Sequence, residues 1–87
     1  MASALANEAA NVRHSAIQAL PRMKHGSQAV PKLLTLLRND PENLLPTIET
    51  LVTLADKSTE ERIAEAIATF RYHKSEGVRR AVDEALN

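Results

Sequence analysis

Cysteine is absent from this chain of 87 residues, and aromatic side chains make up only 2% of it. Without thiols there is no cysteine nucleophile, no disulfide and no thiolate ligand for zinc. The two glycines form no glycine-rich loop for a phosphate group. No apolar run approaches the roughly 18 to 20 residues of a membrane span, and the first residues lack the features of a signal peptide. We therefore expect a cytoplasmic protein with no membrane segment.

Net charge is also absent, because 11 basic and 11 acidic side chains cancel. This balance argues against a strongly basic nucleic-acid binder and against a polybasic membrane anchor. Hydrophobic residues make up 44% of the chain and are mainly Ala, Leu, Ile and Val, a composition typical of helices. The length fits one domain. The sequence thus predicts a single all-α domain over residues 1–87.

Proline, glycine and capping residues divide the chain into about five amphipathic helices with short connections. Asn11 is a candidate N-cap for the first, and Pro21 is expected to end or kink it. Ser27 is a candidate N-cap for the second helix, whose first turn contains Pro31. The apolar residues at helical spacing are Val12, Ala16, Ala19, Leu20 and Met23 on the first, and Val30, Leu33, Leu34, Leu36 and Leu37 on the second.

The last three helices have start signals of their own. Asp40 is a candidate N-cap for the third helix, and Pro46 should kink its first turns or delay its start. Residues 58–61 match a Ser-x-x-Glu capping box for the fourth helix, and the fifth is expected to start near Ser75. Their apolar residues are Leu44, Ile48, Leu51, Leu54 and Ala55, then Ile63, Ala64, Ile67 and Phe70, and finally Val78, Ala81, Val82, Ala85 and Leu86.

The helical segments repeat along the chain. A Val-Arg pair precedes an Ala-Leu pair by the same interval in residues 12–20 and 78–86, and a Thr-Ile-Glu-Thr-Leu segment lies between them at 47–51. The closing leucines are separated by about 31 and 35 residues, a spacing typical of helical solenoids. Each unit is a helix pair that is too short to be stable alone.

This pattern resembles the HEAT repeat, an antiparallel helix pair of the armadillo-like class, in the short variety with a Val-Arg-x-x-Ala-x-x-Ala-Leu first helix. Residues 11–20 match that signature best, residues 77–86 match it with shifted alanines, and residues 40–42 resemble the acidic turn between repeats. The middle unit departs from it at 43–44, where Asn-Leu replaces Val-Arg. The resemblance implies a right-handed α–α superhelix of about two and a half repeats, belonging to a longer solenoid.

Two arginines gain an expected role from the resemblance. In HEAT repeats, the arginine at the positions of Arg13 and Arg79 usually packs its stem between repeats and hydrogen-bonds a turn residue. One guanidinium can hold a turn through several N–H donors. Asp40 is therefore the expected partner of Arg13, and phosphate binding by these arginines is the alternative.

The resemblance also implies a function, a non-catalytic protein-interaction scaffold or adaptor. In this family the second helices of successive pairs line the concave side, where partners often dock. Their outward residues form a mixed-charge ridge suited to a protein or peptide partner, although ordinary solvated positions are the alternative. The ridge consists of Gln28, Lys32, Thr35, Arg38, Arg62, Glu65, Thr69 and Tyr72.

Two further functions stay open. A nucleic-acid-binding helical-repeat module would use a C-terminal basic patch, which nearby acidic residues dilute. This basic patch consists of Arg71, Lys74, Arg79 and Arg80. Resemblance to the short repeats of phycobilin lyase subunits implies an accessory HEAT-like subunit of a lyase-type enzyme, but no residue argues for a chromophore.

No residue constellation points to catalysis, a metal or a cofactor. His14, His25 and His73 are too far apart for the close helical pairs of metal motifs. The adjacent acids at 60–61 and 83–84 point to different sides of a helix, and no serine lies in a Gly-x-Ser-x-Gly elbow. We therefore expect no enzymatic activity and no bound cofactor.

The C-terminal end suggests a separate interaction surface. The chain ends within a turn of Val82, Ala85 and Leu86, and no second helix follows to cover them. Solenoids cap such faces with polar helices. We expect an open apolar face here that contacts neighbouring repeats or forms a homo-oligomer.

Overall fold

The computed structural model describes residues 8–86, and all regular structure in that range is helical. The all-α class predicted from the sequence is confirmed. Short 3-10 turns connect the first helices, at Leu20–Arg22, Gly26–Ala29 and Pro41–Asn43. The five α-helices of the described range are α1 (Ala10–Ala19), α2 (Val30–Asn39), α3 (Leu44–Leu54), α4 (Glu60–Ala68) and α5 (Glu76–Leu86).

Helix α3 lies at the centre of the fold and packs against each of the other four helices. Helix α4 also packs against α5. The core is aliphatic, and its fully buried side chains interlock along α3. Those with at most 1% exposure are Ile17, Val30, Leu33, Ile48, Leu51, Ile67 and Val82. The apolar periodicity therefore identified the buried faces of α2, α3, α4 and α5, but on α1 it missed Ile17, which is fully buried.

The prolines act as the sequence predicted. Helix α1 ends at Ala19, and Pro21 lies in the 3-10 turn that follows. Pro31 occupies the first turn of α2, where its missing N–H leaves no helical hydrogen bond unmade. Helix α3 starts late, at Leu44 rather than directly after Asp40, so Pro46 lies in its first turn.

Four of the predicted N-caps are wrong. Asn11 lies inside α1, whose N-cap is Ala9. Ser27 lies within a 3-10 turn, and α2 starts at Val30 without a side-chain cap. Asp40 makes no capping hydrogen bond, because its carboxylate accepts from a guanidinium instead. Ser58 does not cap α4 either, since the Oδ1 atom of Asp56 accepts from the N–H and hydroxyl groups of Ser58 and Thr59. A carboxylate is the stronger acceptor and organises the local turn.

The ends of the apolar faces also differ from expectation. Val12 is 37% exposed and Met23 is 41% exposed, whereas Ala16, Ile17 and Leu20 are buried. At the other end, the predicted open apolar face is smaller than expected. Val82 is fully buried, whereas Ala85 and Leu86 are only partly buried against the core, and α5 packs against α3 and α4. Contact of this face with neighbouring repeats or a second copy stays a prediction.

Candidate functional site

A buried polar cluster joins α1 to the turn between α2 and α3. The Nε atom of Arg13 donates to Oδ2 of Asp40 at 2.6 Å, and Nη2 donates to Oδ1 at 3.0 Å. Asp40 is only 2% exposed, and it also accepts from Nδ2 of Asn43 at 2.9 Å. The Arg13 hydrogen bonds hold the pKa of the Asp40 carboxyl below its ordinary value. The predicted pairing of Arg13 with Asp40 is confirmed.

Asn43 extends this cluster, and the sequence reading did not assign it a role. Its Nδ2 atom also donates to the carbonyl of Ala10 at 3.0 Å, and its Oδ1 lies 3.2 Å from Nδ1 of His14. An amide oxygen only accepts, so His14 donates through Nδ1. The sequence did carry a clue to this role. At residues 43–44 the chain departs from the repeat pattern, with polar Asn43 in place of the expected valine, and the structure buries this position.

Arg79 braces a second turn in a comparable way. Its Nη1 atom donates to the carbonyl of His73 at 2.6 Å, and Nδ1 of His73 accepts from the N–H of Ser75 at 3.0 Å. Ser75 in turn accepts from the N–H of Val78 at the start of α5. The turn-bracing role expected for Arg79 is confirmed, and this guanidinium is already engaged within the fold.

The basic patch is therefore divided in the structure. Arg79 is half-buried on its turn, and Arg80 forms an exposed ion pair with Glu76 at 3.2 Å. Arg71 and Lys74 are exposed on the segment between α4 and α5. Two of the four predicted phosphate-binding groups thus have intramolecular partners.

All eight ridge residues are exposed, but they lie in different surroundings. Gln28 is in the 3-10 turn before α2, and Tyr72 is 90% exposed beyond the end of α4. The hydroxyl of Thr35 donates to the carbonyl of Pro31 at 3.3 Å, and that of Thr69 donates to Ala66 at 2.8 Å. Both hydroxyl donors are therefore used within their own helical turns.

A groove between α2 and α4 brings half of the ridge together around apolar side chains. It has a volume of about 390 Å³. Ridge residues supply its polar lining, namely Arg38, Arg62, Glu65 and Thr69. Its apolar lining, which the sequence reading did not connect with the ridge, consists of Leu34, Leu37, Ala66 and Phe70. We call this feature the α2/α4 groove. Gln28, Lys32, Thr35 and Tyr72 lie outside its lining.

Comparison with known proteins finds no matching family model, no similar curated protein and no similar solved structure. Over residues 8–86, no group of three or more acidic or histidine side chains is placed to hold a metal ion. None of the described helices is long and apolar enough to cross a bilayer.

Proposed function

We propose that this chain is a protein-interaction scaffold whose α2/α4 groove binds a segment of a partner protein. The observation that supports it is the composition of the groove, in which apolar side chains are surrounded by exposed charged ones. Protein interfaces commonly have an apolar centre and a polar rim that contains arginine. We assign the chain no reaction, metal or cofactor, and we place it in the cytoplasm.

The same proposal includes a HEAT-like arrangement of helix pairs in a right-handed superhelix. Support comes from the contacts of α1, α3 and α5, since α3 packs against both of the other first helices. Further support comes from Arg13 and Arg79, which occupy equivalent sequence positions and each brace a turn. In this arrangement α2 and α4 are the successive second helices, so the groove lies on the partner-binding side.

Selection of peptides from a random display library against the full chain tests this function. Ala66→Phe places a larger side chain in the groove, and Ala81→Phe is the matched control in a hollow between α3 and α5. We expect the selected peptides to bind the wild type and Ala81→Phe equally, and to bind Ala66→Phe at least about tenfold more weakly. Circular dichroism checks that both variants keep their helices. Equal binding of the selected peptides to Ala66→Phe and to the wild type would show that they bind outside the groove.

The other two functions remain alternatives without a supporting observation. Nucleic-acid binding by the basic patch would have to use Arg71 and Lys74 mainly, because Arg79 and Arg80 are paired within the chain. Salt-dependent binding of a random duplex, lost in Arg71→Ala with Lys74→Ala, would favour it. No described residue favours the accessory role in a lyase-type enzyme.

A further inference from the structure

We infer that the segment bound in the α2/α4 groove is acidic as well as apolar, with carboxylates on either side of apolar side chains. This inference rests on the proposed function and adds the chemistry of the partner to it. The charges of Arg38 and Arg62 carry the inference, together with the apolar residues between them.

The two arginines of the groove differ from the arginines that brace the fold. Arg38 and Arg62 are exposed, and neither side chain forms a hydrogen bond or ion pair within residues 8–86. The guanidinium groups of Arg13, Arg79 and Arg80, by contrast, all have partners in the chain. The groove therefore presents two arginines whose donors are available to a ligand.

Carboxylates are the complementary groups for these donors. A guanidinium matches a carboxylate through two parallel hydrogen bonds, which gives orientation as well as energy. Arg38 lies in the last turn of α2 and Arg62 in the first turns of α4, on opposite helices of the groove. A bound segment would therefore meet a cation from each wall, and this favours carboxylates at both edges of its apolar face.

The remaining lining residues restrict the segment further. Leu34, Ala66 and Phe70 are half-buried, so an apolar side chain that covers them would remove them from water. Glu65 adds one negative charge to the same groove, and it disfavours a carboxylate beside it. An amphipathic segment with separated acidic residues satisfies these groups better than a continuous acidic run. The volume of about 390 Å³ lies within the range of binding pockets, about 300 to 1,000 Å³.

The experiment uses the same random peptide library and sequences the peptides that the wild type retains. We expect Asp or Glu to flank apolar residues in them. Arg38→Glu with Arg62→Glu should weaken their binding at least about tenfold, and rising salt should weaken binding to the wild type. The matched control is Arg22→Glu with Lys24→Glu, which makes the same charge change at exposed residues outside the groove lining. It should bind as the wild type does.

Several outcomes would overturn the inference. Peptides that depend on Ala66 but lack acidic residues would leave the proposed function standing and remove the acidic partner. Equal losses in the groove variant and its control would show an effect of bulk charge. Light scattering could also show that the wild type is a dimer and that the double variant Arg38→Glu with Arg62→Glu is a monomer. That result would mean that a second copy of the chain occupies the groove. Binding of a labelled duplex through these two arginines would assign the groove to phosphates. If the charge reversal unfolds the chain, Arg38→Gln with Arg62→Gln is measured in its place, with the same expected loss.

Discussion

Single side chains hold the helices of this protein in place, and Asp40 is the clearest case. A buried carboxylate is costly to remove from water unless hydrogen bonds replace the solvent. Asp40 accepts two hydrogen bonds from Arg13 and one from Asn43, and Arg13 comes from a different helix. The ionised form of Asp40 therefore gains its Arg13 hydrogen bonds when α1 is docked, which links its protonation to folding.

Stability should depend on pH through Asp40. Its pKa is lower in the folded chain than in the unfolded chain, so the stabilisation is fully present above the unfolded value, about 3.9, and is lost as pH falls through the folded value. Urea unfolding across the acid range measures this loss. We expect Asp40→Asn and Arg13→Gln each to flatten the acid branch of the curve. If both variants keep the wild-type slope, the pair does not couple folding to protonation.

The two glycines should respond in opposite ways to alanine. A Cβ atom at Gly26 would collide with the carbonyl oxygen of Leu20, whereas one at Gly77 would have its nearest contact at 3.6 Å. Gly26→Ala should therefore destabilise the fold by about 1 to 3 kcal/mol. Gly77→Ala lies in helix α5 and should stabilise it by up to about 1 kcal/mol. Thermal melts compare the two variants, and equal effects would contradict the close approach at Gly26.

At the scale of elements, α3 supplies the contacts that hold the helices together. Its side chains Ile48 and Leu51 are fully buried, and α1, α2, α4 and α5 all pack against the helix. The periodic spacing of leucine and isoleucine predicted this buried stripe because a helix places residues three and four apart on one face. Helix starts were less predictable, because tertiary and local hydrogen bonds replace the expected caps. Asp56 accepts from the N–H of Thr59, and Arg13 donates to the Asp40 carboxylate.

Truncation of the helix cores tests the register of α2 and α3. Leu33 and Leu51 are fully buried, so Leu33→Ala and Leu51→Ala should each cost about 2 to 5 kcal/mol in the free energy of unfolding. Lys32 is the exposed neighbour of Leu33, and Lys32→Ala should change stability very little. Denaturant unfolding of the three variants gives the comparison. The reverse order would mean that the assigned buried faces are wrong.

At the scale of the whole molecule, the groove exists because two helices that are distant in sequence pack around the same central helix. Helices α2 and α4 each contact α3, and the space between them is lined from both sides. Arg38 and Arg62 are far apart in the sequence but line the same groove. The acidic partner inferred above depends on this tertiary arrangement, because neither helix presents both cations.

The sequence by itself determined the all-α class and the buried faces of α2, α3, α4 and α5, because the periodic spacing of apolar residues is a local property of each helix. The Arg13–Asp40 pairing was expected from the resemblance to HEAT repeats, and the structure confirms it. The sequence also identified Arg38, Arg62, Glu65 and Thr69 as outward residues. Only the tertiary structure decided that these residues share a groove with Leu34 and Phe70, and that α5 packs against α3 and α4. The physical reason is that spacing along a helix defines a face, while the packing of distant helices decides what that face meets.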